Sequence, residues 1–329
     1  MKEIKKSENL PKFSILMANY NNGKYIEEAI DSVLNQTFQD WELIIVDDCS
    51  TDDSLEKIKP YLKDTRVRLL KNDVNLGKID TLKKMVYESK AEIFGELDSD
   101  DALYSDAIEI MYNAHQEHSD CGLIYSQFVY CDPELNPKKK GYCCALPTNK
   151  TSLHCDCVSA FRTFKKTDYF KTEGWVGEEL YAAEDKDIIL KMEEVTKLFY
   201  VDKILYKYRF LPYSLSRNPL KKRIGQIDYI LVKYNAYKRR LNSSIPNITR
   251  TEMCSELFNG IYLSIRVKDY RRARYFFKEV IKLDPRIILN FSTFIINNSK
   301  NKLQNIGEIH IFKDMENDFF KSLDDWDIN

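Results

Sequence analysis

"FSILMANYNNGKYIEEAIDSVLNQTFQDWELIIVDD", Phe13 to Asp48, decides the architecture. Phe13 to Met17 and Trp41 to Asp47 are mostly apolar runs of strand length. Between them, in "KYIEEAIDSVLNQ", apolar residues return every three or four positions, as on one face of a helix. The alternation continues through "RVRLL" (Arg66 to Leu70), "KIDTLKKMVYES", "IFGELD" (Ile93 to Asp98) and "GLIYSQFVY" (Gly122 to Tyr130). Strand, helix, strand repeated from residue 13 to about 132 predicts an α/β fold, a mainly parallel sheet with helices on both faces.

Such a sheet binds ligands outside the carboxyl ends of its strands. Here four strands run into "ANYNNGKY", "DDCSTDDS", "NDVNLGK" and "DSDD", so one polar crevice is expected. Asp98, Asp100 and Asp101 crowd one strand end, where uncompensated carboxylates repel. A hard divalent ion such as Mg²⁺ or Mn²⁺ relieves this with one or two carboxylates plus substrate phosphate oxygens. "SDDALYSD" also suits a turn and a helix N-cap. Asp47 and Asp48 can accept hydrogen bonds from a base N–H or ribose hydroxyls, or cap a turn with Ser50 and Thr51. Tyr20 offers a ring for a nucleobase to stack on, or for packing at the rim.

Residues 133 to 158, with Pro133, Pro137, "KKKGYCC" and Pro147, lose periodicity and read as a mobile loop over the crevice. Order returns with "VSAFRTFKKTDYFKTEGW", "EELYAAEDKDIILKMEEV" and two strand-like runs, "KLFYV" and "KILYKYRF". From 219 onward the pattern is helical. "TEMCSELFNGIYLSIRVKDYRRARYFFKEVIKLDP" resembles one tetratricopeptide-like hairpin, read as a helical cap because a stacked array needs about three repeats. The tail "PRIILNFSTFIINNSKNK" either packs on that cap or lies on a bilayer surface.

With 50 Lys+Arg against 51 Asp+Glu among 329 residues, no global field favours nucleic acid as a partner. The start "MKEIKKSENLPKFS" lacks the apolar core of a signal peptide, and no window has the apolar length of a membrane span. A cytoplasmic protein with reduced cysteines is expected, since eight unevenly spaced Cys do not form a secreted disulfide pattern. His154, Cys155 and Cys157 are soft-metal ligand types, but HCDC lacks the usual CxxC spacing.

Taken in order, these stretches resemble the family 2 glycosyltransferases, nucleotide-sugar-dependent enzymes of the GT-A fold. Phe13 to Ser54 is similar to the family's opening, "NDVNLGK" echoes its NVNLGK, "ELDSDD" resembles its DxD, and "AAEDKDI" its ED motif. The resemblance covers about residues 12 to 217. It implies that Tyr20 and Asp48 or Asp47 flank the base, that Asn75, Gly77 and Lys78 lie near ribose and pyrophosphate, and that Asp98 and Asp100 hold ribose and a Mn²⁺ or Mg²⁺ ion. Asp185, helped by Glu184, would take the proton; on their own, Glu184, Asp185 and Asp187 also suit the start of a helix. "RFLPYSLSR" departs from the family's His-bearing version, so phosphate roles for Arg209, Ser214 or Ser216 are not carried over. QxxRW, the processive signature, is absent, which points to single transfers.

The expected organisation is a glycosyltransferase domain over 1–218, with a nucleotide-sugar half (about 12–132) and an acceptor half (about 133–218), then a helical extension over 219–329. The expected reaction is inverting transfer from a nucleotide diphosphate sugar, a UDP-sugar first, to a glycan or lipid-linked acceptor. Peripheral contact with the inner face of the membrane would run through the C-terminal helices. Cleavage of the sugar C1–O bond puts positive charge on C1 and negative charge on the diphosphate. Metal and Lys78 would stabilise the latter, and a carboxylate across the crevice would take the acceptor proton. Two rivals remain: a sugar nucleotidyltransferase, which would carry a Gly-rich basic signature near its start, and a non-catalytic nucleotide-binding or interaction protein.

Overall fold

A computed structural model describes residues 10–175, 180–211 and 218–286. β1 (Phe13–Asn19), α1 (Ile26–Leu34) and β2 (Trp41–Asp47) form the first crossover unit. α1 buries Ile26, Ala29, Ile30 and Val33, one face at helical spacing, and all seven residues of β2 are buried. The chain continues through α2 (Ser54–Ile58), a short 3₁₀ turn (Lys59–Lys63), β3 (Val67–Lys71), α3 (Lys78–Glu88), β4 (Ile93–Glu96), β5 (Ala102–Leu103) and α4 (Ala107–Glu117). Then follow β6 (Cys121–Cys131), β7 (Pro137–Lys140), β8 (Arg162–Lys165), α5 (Lys166–Tyr169), α6 (Glu184–Glu193) and β9 (Lys197–Arg209). Three helices complete the described chain: α7 (Pro219–Arg239), α8 (Arg250–Arg266) and α9 (Tyr270–Leu283).

The sheet order is β3-β2-β1-β4-β8-β6-β9-β5, with β7 added on β6. β3, β2, β1 and β4 are parallel, as expected. Beyond them the sheet is mixed: β8 runs antiparallel to both β4 and β6, β6 is parallel to β9, and β5 and β7 are antiparallel additions. Apolar runs disclose strands but not their direction, and β8 enters only after the long excursion from residue 141 to 161.

Two further expectations change. Part of the loop read over 133–158 is an edge strand, β7, whose four residues are all exposed and so leave no apolar pattern. Its Pro and lysines suit an open edge. The same segment later docks rather than hanging free: Ser152 donates to Glu193 (2.8 Å) and Leu153 joins the core of the helical extension. "KLFYV" and "KILYKYRF" are one strand, with register shifts against β6 near Gln127.

Two hydrophobic cores meet at α6. Its Ile188, Ile189 and Met192 belong to the core of the sheet domain, while Leu190 packs with Ile227, Leu231, Leu257 and Phe276 of the extension. Arg240, fully buried, bonds the Leu190 carbonyl (2.6 Å) and pairs with Glu193 and Glu194. The extension is therefore built onto the helix that opens with Glu184 and Asp185. No helix among the described residues is long and apolar enough to cross a membrane. The tail after 286, with its suggested bilayer contact, lies outside the described residues.

Candidate active site at the strand ends

The loops after β1, β2 and β3 hold one another by side-chain to backbone bonds. Asn21, in the left-handed region (φ 55°), accepts from Thr51 N (2.8 Å), and Asn22 Nδ2 donates to Ser99 Oγ (2.8 Å). A Cβ on Gly23 would stand 2.1 Å from Asp53 Oδ1 and 3.0 Å from Ser54 N, so a larger residue would displace the Asp53 carboxylate. Asp47 accepts from Asn19 Nδ2 (2.8 Å) and Ser50 N (3.0 Å). Asp48 Oδ1 accepts from Asn72 Nδ2 (2.9 Å) and Leu76 N (2.8 Å), and Oδ2 from Gly77 N (2.8 Å). Both carboxylates are buried, so they organise the loops, with lone-pair capacity left over. Tyr20, directly after β1, is 49% exposed. Asn75 Oδ1 also accepts from Gly77 N (3.0 Å), and Gly77 (φ 81°) turns the chain into α3, whose first residue is Lys78.

The three clustered aspartates divide into three roles. Asp98 faces a cation within the protein: Lys78 Nζ lies 2.9 Å from its Oδ1. Burial works against the Asp98 charge, but Lys78 and Arg162 outweigh it and hold the carboxyl below the usual range. Asp101 is buried and structural, accepting from the Tyr206 hydroxyl (2.7 Å) and Arg209 N (2.7 Å). Asp100 bonds no other described side chain; burial together with Asp98 raises its pKa to about 6, although its own backbone N–H favours the carboxylate. A carboxylate pair at one strand end, one member underneutralised, fits a hard divalent ion whose other ligands come from phosphate and water. No group of three or more His, Cys, Asp or Glu placed to hold a metal is found among the described residues. In the HCDC segment, His154 Nδ1 is engaged by Thr151 N (3.1 Å).

Arg209 is also structural. Its Nε donates to the Asp100 carbonyl (2.6 Å), Nη2 to Glu28 (2.7 Å) and Nη1 to the Pro133 carbonyl, latching α1 and the start of the β7 hairpin to the aspartate loop. Ser214 and Ser216 lie outside the described residues.

From the other half of the chain, α6 brings its first two residues to the same place. Glu184 Oε1 lies 3.6 Å from Lys78 Nζ, so Lys78 bridges Asp98 and Glu184. Asp185 Oδ2 accepts from Arg162 Nη1 (3.2 Å), whose Nη2 reaches Glu96 Oε2 (3.3 Å) on β4. The two neighbours are pushed apart in acidity. Asp185 is desolvated but Lys186, Arg162 and Lys78 hold it ionised below the ordinary range. In Glu184, burial and the charges of Asp185 and Glu96 overcome Lys78, and its pKa rises. Lys78 is likewise desolvated, yet Asp98, Glu184 and Glu96 keep it protonated well above the usual lysine value. Asp187 faces away, paired with Lys191 at 2.7 Å.

With that geometry in hand, residues 14–171 match the family model described as glycosyl transferase family 2. Just under half of the chain thus matches as a family 2 glycosyltransferase domain. Chondroitin synthase of Escherichia coli is 32% identical over 200 residues, covering 60% of this chain but 29% of the synthase, so the chain spans under a third of that relative's length. The fold is shared with S. aureus TarS 1-349 in complex with UDP-GlcNAc (TM-score 0.65, 18% identity, 83% of this chain and 81% of that one). It is shared more loosely with the mannosyltransferase PcManGT of Pyrobaculum calidifontis in complex with GDP-Man and Mn2+ (TM-score 0.52, 12% identity, 84% and 87% covered). The GT-A architecture expected from the sequence is thus observed, with a mixed rather than wholly parallel sheet.

Lys78, Asp98, Glu184 and Asp185 converge, while Tyr20, Asp47, Asp48, Asn75 and Gly77 belong to the adjoining loops. Sequence reasoning overlooked Asn72, Glu96 and Arg162. Asn72 left a signal as the first residue after β3; Arg162, inside an apolar run after the loop, left none.

Proposed function

We propose that this protein transfers a sugar from a UDP-sugar to an acceptor hydroxyl, with inversion at C1 and with Mn²⁺ or Mg²⁺. The observation that carries the reading is the meeting of two halves: Lys78 touches Asp98 after β4 and Glu184 at the head of α6, with Asp185 held beside them by Arg162. One wall of the crevice supplies positive charge and the other an ionised carboxylate, which is what displacement of a diphosphate by a hydroxyl requires.

In this reading the uracil lies against Tyr20 in a mouth shaped by Asp47 and Asp48. Asn75, Gly77 and Lys78 lie along ribose and pyrophosphate. Asp98 and Asp100 would hold the divalent ion, which supplies charge neutralisation at the departing diphosphate. Lys78, fixed in its protonated form, stabilises the same developing charge. Asp185 accepts the proton from the attacking hydroxyl. Glu184, of raised pKa, keeps Lys78 placed between the two carboxylates. The acceptor belongs to the half after residue 133 and is a glycan or lipid-linked precursor of a surface polysaccharide at the cytoplasmic face of a membrane. Polysaccharide synthesis by the similar chondroitin synthase and the UDP-sugar in the TarS complex support this choice.

The test is release of UDP or GDP from a panel of nucleotide sugars, beginning with UDP-N-acetylglucosamine and including GDP-mannose, with Mn²⁺ and with chelator. Turnover of a UDP-sugar that the chelator abolishes is expected. Nucleotide binding with no turnover from any donor would return the chain to the binding-protein rival.

A further inference from the structure

We propose that Asp228, on α7 of the helical extension, is a positioning residue for the catalytic carboxylates, an inference that rests on the reading of Asp185 as the base. Asp228 is fully buried. Its Oδ2 accepts two backbone bonds from consecutive residues, Tyr181 N and Ala182 N, both at 2.8 Å. Its Oδ1 is paired with Arg272 of α9 at 2.8 Å. One carboxylate therefore ties the chain just before α6 to the third helix of the extension.

The tied segment is the one that aims the site. After Ala182 comes Ala183 in the left-handed region (φ 70°), and α6 begins with Glu184 and Asp185. Two N–H groups given to one fixed oxygen set the direction in which the chain enters that turn. The far end of α6 is held separately, by Arg240 on Glu193 and Glu194. Asp228 is the matching restraint at the near end, where Glu184 lies 3.6 Å from Lys78 and Asp185 3.2 Å from Arg162. Charge-assisted bonds to backbone N–H are among the stronger hydrogen bonds. A slip of about 1 Å at reacting groups costs on the order of 100-fold in rate. Through this restraint the extension is part of the catalytic apparatus.

The experiment uses the full chain with Asp228→Leu, which removes both acceptors, and Asp228→Asn, which keeps one oxygen for the two N–H groups. Turnover is read with the sugar nucleotide selected by the donor panel, affinity with UDP by calorimetry, and local order by amide exchange of residues 181–185. For Asp228→Leu the turnover number should fall about 10- to 100-fold. UDP affinity should stay within about twofold, and the 181–185 amides should exchange faster. Asp228→Asn should fall between this variant and wild type. If Asp228→Leu does not fold, Asp228→Asn is decisive: a lowered turnover number with unchanged UDP affinity supports the proposal. Wild-type turnover and exchange in a folded variant would overturn it, as would parallel loss of UDP affinity and turnover, which marks general loosening. Asp185→Asn, run alongside, separates the failures. If that variant is fully active, the base assignment fails; if it is inactive while the Asp228 variants match wild type, only the positioning role fails.

Discussion

The donor wall and the base wall of the crevice are held by different kinds of contact. On the donor wall, Asp48 gathers Asn72, Leu76 and Gly77, and Asn21 gathers Thr51, all within about 30 residues along the chain and mostly by side chain to backbone bonds. On the base wall, Asp185 is fixed by Arg162, Arg162 by Glu96, and the approach to α6 by Asp228, across separations of 23, 66 and 46 or more residues. The donor wall is a set of self-stabilising loops on a parallel sheet. The base wall leans on buried charges: Arg162 lies 23 residues from Asp185, no farther apart than the donor-wall bonds, but 66 from Glu96. Damage to the first should therefore cost binding, and damage to the second should cost stability and rate.

The largest effect should come from Arg162→Met, which leaves Glu96 and Asp185 facing each other without their shared cation. Breaking a buried pair in this way costs about 3–5 kcal/mol of stability, to be checked by urea unfolding. A loss below about 1 kcal/mol, the scale of exposed pairs, would erase the contrast between the walls.

Asp100→Ala sharpens the comparison from the donor side. It removes a carboxylate that bonds no other described side chain, so melting temperature should hold or rise, while Mn²⁺-dependent strengthening of UDP binding should disappear. Calorimetry with and without Mn²⁺ decides it; retained metal dependence would place the ion elsewhere. Asp48→Asn should cost less, about 1.5–3 kcal/mol in the loop that its charge-assisted bonds hold together. Its signature would be weaker UDP binding with a nearly unchanged turnover number at saturation.

A smaller effect tests burial away from both walls. His115 on α4 is desolvated and close to Lys165, and its pKa falls from 6.5 to about 3. As pH drops through 6.5 the unfolded chain takes up this proton and the folded chain does not, so stability declines with acidification over that window. Between about pH 7 and about pH 5.5 the loss should be about 1 kcal/mol. His115→Gln should remove that component of the pH dependence of unfolding; an unchanged pH slope would mean that the folded protein accommodates the imidazolium.

The same contrast explains what could be read from the chain alone. The parallel strands β1 to β4 are mostly apolar runs ending in polar loops, and the residues lining those loops follow directly. Local bonds make local signals. Asp185 could be singled out only through the resemblance of "AAEDKDI", because taken alone it suits the start of a helix equally well. Arg162 and Asp228 are single buried charges among apolar neighbours and leave no periodicity or motif. The direction of β8 was hidden because an apolar run does not disclose it, and β7 because four exposed residues carry no hydrophobic pattern.

The most direct test of the account is Asp185→Asn, which keeps side-chain size and removes the ionised carboxylate. With metal and both substrates saturating, transfer should fall by roughly 10²–10⁴ if general-base help is lost, while UDP affinity by calorimetry stays at the wild-type value because the donor loops are untouched. Full transfer by this variant would contradict the account and leave Asp185 as nothing more than the first turn of α6.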